Sequence, residues 1–144
     1  MLKKLDSLLL QAHTQIAKKT KKSARELERH AYMLSATIHA VQYIQNNKPS
    51  DAFLAVISTA LSIPNRENTK AQTYGPIMSL VLPTGYIVAP LLATTGIIET
   101  VNGIITADIH TTQQGINHIQ KGLATASFMS GMYFSRVEEE KKNT

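Results

Sequence analysis

The sequence predicts an all-α chain, a long antiparallel helical hairpin or bundle around a hydrophobic, glycine- and proline-punctuated central segment. Three observations carry that fold class. Apolar residues recur at steps of three and four along both ends of the chain, the period of one helix face. The first 47 residues contain neither glycine nor proline. Residues 71–98 then run without a single charge, broken only by prolines and glycines. At 144 residues the chain is large enough for one domain with a real core and cramped for two, so a single helical domain over 1–144 is expected. Its helices are expected near 2–47, 50–63, 76–82 and 86–140.

The first element rests on apolar or small residues at 2, 5, 9, 12 and 16, and again at 24, 27, 31, 34, 38 and 41. They form one stripe of a helix up to 45 residues long, or of two helices broken in the middle. The weak point is Lys18-Lys19-Thr20-Lys21-Lys22-Ser23, where the stripe turns polar. There Ser23 and Glu26 have the spacing of a capping box. Asn46-Asn47-Lys48-Pro49 ends this region, because a proline disfavours helical backbone in the residue before it. Ser50 is the expected N-cap of a short helix over 50–63, with Phe53, Leu54, Val56, Ile57, Ala60 and Leu61 on a broad apolar face.

Charge is scarce, 17% against the roughly 25% of an average soluble chain, and it is unevenly placed. Residues 1–29 hold eight Lys or Arg against Asp6, Glu26 and Glu28, which accounts for the whole net charge of +5. Lys18, Lys22, Arg25 and Arg29 share one helix face at i, i+4, i+7 and i+11, with Lys21 beside them. Such a face suits solvent, an anionic bilayer or, less well, nucleic acid. No aromatic stacking platform interleaves with it, which sets the nucleic-acid reading behind the membrane reading. The amino terminus lacks the uninterrupted apolar run and small-residue cleavage site of a secretory signal, so none is expected.

In the middle, length and hydrophobicity suffice for a membrane crossing. The punctuation argues against a simple span. Pro76, Pro83 and Pro90 recur every seven residues, and Pro83-Thr84-Gly85 is a turn signal that splits the segment into pieces too short to cross alone. A buried hairpin tip, a re-entrant loop and a kinked span all fit. Leu80, Leu82, Tyr86, Ile87, Val88, Leu91, Leu92, Gly96 and Gly103 are the expected membrane or assembly surface. Tyr74 and Tyr86 would be interfacial anchors if the segment inserts, and otherwise bundle residues with a polar tip. Glycines at 96, 103, 115 and 122 form two heptad pairs that let another helix approach closely.

The last helix is read from a seam through Ile98, Val101, Ile105, Ile109, Thr112, Ile116, Ile119, Leu123, Ala126, Ser130, Tyr133 and Val137. If the terminal helices lie antiparallel, residue n falls opposite about 143 minus n, which sets Lys3 and Lys4 beside Glu138, Glu139 and Glu140.

Little in the sequence advertises chemistry. Cysteine is absent, and no phosphate loop, zinc motif, calcium loop or dinucleotide fingerprint occurs. His110 and His118 stand about 12 Å apart along a helix, too far to share a metal. Asp108 and His110 do not face one another, and no nucleophile motif accompanies them. No catalytic, cofactor or metal residue is assigned and no small-molecule substrate is identified. The expected role is non-enzymatic: a helical assembly or membrane-associated protein acting through oligomerisation with its apolar centre. Its expected partners are a second copy, another protein or an anionic membrane, and its location is at a membrane or in the cytoplasm. The alternative is a soluble adaptor, chaperone or secretion-system component; a nucleic-acid binder or a small enzyme is further off.

Overall fold

A computed structural model describes residues 1–63 and 78–142, with side chains described through 81–141 of the second stretch. These residues form an all-α bundle of five helices, with no strand among them. In chain order they are α1 (Leu2–Thr20), α2 (Ala24–Asn46), α3 (Pro49–Ser62), α4 (Met78–Ile105) and α5 (Ile109–Lys142). The expected polar connection at 65–70, Tyr74, and the first two residues of the helix expected at 76–82 lie outside the described residues.

The expected 2–47 element is two helices. Lys21 takes left-handed backbone at φ 56° and its N–H bonds Lys18 O, closing α1. Ser23 then accepts from the Glu26 N–H at 3.1 Å, satisfying one of the donors that a helix start leaves free. α2 stops at Asn47, also left-handed, where asparagine is tolerated better than most residues. Here α3 begins one residue before the expected start. Lys48 is the N-cap position and Pro49 fills the first turn, where its missing N–H costs nothing.

The largest departure lies in the centre. No turn forms at Pro83-Thr84-Gly85; α4 runs through both Pro83 and Pro90. The break falls instead at residues 106–108, so the expected 86–140 helix is divided between α4 and α5. Ala107 is left-handed at φ 54°, and the Asp108 carboxylate accepts from the N–H groups of His110 (3.0 Å) and Thr111 (3.3 Å). Two interior prolines each cost a helix about 3 kcal/mol, which tertiary packing must offset. α4 has that packing along its length against α5.

α5 lies between α4 and α2 and runs antiparallel to both. Gly96 meets Gly115, and Gly103 meets Thr112, on the α4 side. On the α2 side Gly131 lies against Tyr32, and Gln42 donates to Asn117 O at 3.4 Å. α3 packs on α2, with Ser35 and Ser58 in hydrogen-bond contact at 3.3 Å. The helix antiparallel to α5 near the amino end is therefore α2, not the expected continuous terminal helix, and the register differs. An opposition at 143 minus n would put Tyr32 near residue 111, whereas it sits at Gly131. The break after Thr20 is the reason, since it frees α1 to cross the base of the α4 and α5 pair.

Candidate assembly surface

The base of the α4 and α5 pair is closed by α1 through two polar locks. Asp6, buried, accepts from Tyr133 Oη at 2.8 Å and takes both arms of the Arg136 guanidinium at 2.6 and 3.1 Å. The bidentate geometry is the strong form of such a pair. Burial and the neighbouring Asp6 carboxylate push the Tyr133 phenol well up, so it stays a donor. The second lock is His13. Its Nδ1–H donates to Leu9 O at 2.7 Å, which leaves Nε2 to accept from Tyr86 Oη at 2.8 Å. Tyr86 Oη in turn contacts Ser130 Oγ at 2.5 Å. Burial holds the His13 pKa below its usual value. The ring is stacked on Tyr133 and edge-on to Phe134.

Further along, α4 and α5 touch through glycine. A Cβ at Gly96 would run into the carbonyl of Gly115 and the backbone of Ile119, and one at Gly103 into Thr112. One at Gly122 would lie 2.7 Å from Ala89 O. The helices are thus closer than any side chain allows, and large residues on both are displaced outward. The expected seam holds only at the base, where Tyr133 and Val137 are buried. Higher up Ile98, Val101, Ile105, Ile109, Ile116 and Leu123 are exposed, Ile105 at 76% and Ile109 at 82%.

This displacement is general. Only eleven hydrophobic residues are buried among those described and five of them are alanines, while nine polar or charged residues are buried with them. Large hydrophobics exposed to solvent number twenty-four. Most of the large aliphatic side chains among the described residues therefore face out, the reverse of an ordinary core.

The expected surface residues divide accordingly. Ile87, Val88 and Leu91 face outward, and Leu92 is half-buried. Leu82 is enclosed with Tyr32, Met132 and Tyr133, Tyr86 packs against that cluster, and Gly96 and Gly103 face α5. Leu80 begins α4, and its side chain is outside the described set. Ile97 and Ile104, also exposed, were no part of the sequence expectation. The heptad glycines carry the missing signal: residues one or two places from Gly96 and Gly103 must point away from the close contact.

Lys18, Lys22, Arg25 and Arg29 are all exposed, but the break at 21–23 divides them between α1, the turn and α2, so they do not share one helix face. Lys22 pairs with Glu26 at 3.6 Å, an exposed contact of small value. The only charged residue of α4, Glu99, bonds His118 Nδ1 at 2.6 Å. Asp108, whose pKa is lowered by its Thr111 and His110 hydrogen bonds, is a helix cap. Among the described residues no group of three His, Cys, Asp or Glu is placed to hold a metal ion.

Among the described residues one helix, over Val81–Ile105, is long and apolar enough to cross a membrane; its 18-residue apolar window has a mean hydropathy of 1.6, and 28% of that window is buried inside the bundle. Comparison with family models, with curated proteins and with solved structures gives no match.

Proposed function

We propose that this chain is a non-enzymatic, membrane-associated helical assembly protein whose working surface is the outward side of α4 and the adjoining end of α5. The observation that supports this most is the character of α4. A core helix of a soluble protein is mostly buried, whereas α4 turns most of its aliphatic side chains outward and carries no charge except the paired Glu99. An uncovered face of that composition is unfavourable in water, at about 25 cal/mol for each Å² of apolar surface. Its cover is the function: self-association, contact with lipid, or both. The cationic residues at 18–29 supply an attraction toward an anionic surface that is long-ranged at low salt.

Fractionation without detergent, a carbonate wash, and mass determination of the released or extracted particle test this reading. Retention with membranes after the wash, or release as a multimer, is expected. Release as a small soluble monomer contradicts it. A soluble adaptor or chaperone would be recovered in solution with α4 covered by a different protein.

A further inference from the structure

We infer that the free end of the α4 and α5 pair is a self-association module, in which a second copy of this chain covers the side bearing Ile97, Ile104, Ile109, Ile116 and Leu123. This rests on the assembly reading above and names its partner.

The side is identified by the Tyr86 and Ser130 contact, which fixes one face of the pair. Ile97 and Ile104 stand 11 and 18 residues after Tyr86, three and five turns on, and so lie over it on α4. Leu123, Ile116 and Ile109 precede Ser130 by one, two and three heptads on α5. A heptad drifts only about 20° on a straight helix, so they follow the same side. The opposite side is polar. It carries the Glu99 and His118 pair, and a cleft of about 390 Å³ there is lined by Gln113, Gln114, Asn117 and Lys121 among others.

The apolar side continues an interface that already exists. At the level of Tyr86 and Ser130 it is covered by α1 through His13. Beyond that level the side opens to solvent, with Ile104 66% exposed. At roughly 180 Å² for a fully exposed aliphatic residue, the five named residues present about 530 Å². A standard interface takes about 800 Å² from each partner, and homodimer interfaces are about two-thirds apolar. The area therefore matches the apolar part of a stable dimer.

A second copy suits this end better than hydrocarbon. Residues 97–105 rise about 14 Å along α4, the depth of one leaflet, so entry by the tip would carry the ionised Asp108 to the bilayer centre. Against another copy Asp108 stays in water at the rim. The heptad spacing on both helices is that of antiparallel pairs packing into a four-helix bundle.

The chain has no cysteine, so single cysteines report without background. Ile104→Cys and Ile116→Cys are expected to cross-link between copies with a short bismaleimide, and Ile44→Cys on the outer side of α2 is expected not to. Ile104→Glu with Ile116→Glu is expected to weaken self-association at least a hundredfold, halving the particle mass by light scattering. The helical content should stay unchanged, because both side chains are exposed in the single chain, and the melting transition should lose the concentration dependence that self-association gives it. A particle of unchanged mass with no cross-link at 104 or 116 overturns the module while leaving assembly through another surface. A membrane-retained monomer overturns it in favour of lipid cover. A wild-type soluble monomer overturns both.

Discussion

The two ends of the α4 and α5 pair are built on opposite plans. At the base, polar groups are inside: Asp6 grips Arg136 and Tyr133, and His13 holds Tyr86. At the tip the contact between the helices is glycine on backbone, and the isoleucines stand outside. The base is complete within one chain because a third helix closes it. At the tip α2 reaches only the polar side, where Gln42 and Asn46 meet Asn117, and among the described residues the side bearing Ile104 and Ile116 stays exposed. The difference teaches that the base, with Leu82, Tyr32, Met132 and Tyr133 enclosed beside its polar locks, has inward room that the glycine contact at the tip lacks. Close helix approach through small residues leaves no inward room for large side chains.

Breaking the tip should have the largest effect. Gly96→Leu drives a side chain into the Gly115 carbonyl and the Ile119 backbone, neither of which can yield without parting the helices. Overpacking of this kind costs about 3 kcal/mol or more when backbone must move. Hydrogen exchange should show lost protection over residues 96–105 and 109–119, with protection kept around Leu82 and Tyr133. Uniform loss would mean that the two ends are one cooperative unit.

Asp6→Ala attacks the base. It leaves the Arg136 guanidinium, which is mostly enclosed, without its carboxylate, at a cost of roughly 3 kcal/mol. Chemical denaturation should show a lower midpoint. Tyr86→Phe removes only the hydroxyl between His13 and Ser130, and about 1 to 2 kcal/mol is expected from the unsatisfied His13 Nε2. In a folded Tyr86→Phe protein the tip should associate as before.

The smallest effect is the dependence on pH. His13 has a lowered folded pKa, so between that value and 6.5 the unfolded chain binds the proton and the folded chain does not. Stability is therefore fully present above pH 6.5 and declines as pH falls through that window. His39, lowered by burial although Asp51 lies 3.8 Å away, adds to the same slope. His13→Gln should flatten the dependence of the denaturation midpoint between pH 7.5 and 5.5 only in part. A slope unchanged by the substitution would show that the His13 lock does not titrate with folding.

The helical class was legible from periodicity, and the Ser23 and Glu26 spacing marked the α1 and α2 junction as a place to break. The central turn does not form where the prolines predict it, because a proline breaks a helix only locally and α5 provides packing that carries α4 through both of them. The true turn has its own signal in Asp108, a favoured N-cap residue three places before Thr111. The candidate surface was half legible. The apolar segment could be found by composition, but Leu82 and Ile104 look alike in a sequence. Which one faces out depends on the phase set by Gly96 and Gly103 against α5.

The claim that the exposed tip is the working surface is tested most directly by an environment-sensitive fluorophore on Ile104→Cys, followed against protein concentration in detergent-free buffer. A blue shift that develops with concentration at position 104, and is absent for the same probe on Ile44→Cys, is predicted. Emission from position 104 that stays water-like at every concentration, or shifts only when vesicles are added, would contradict cover by a second copy.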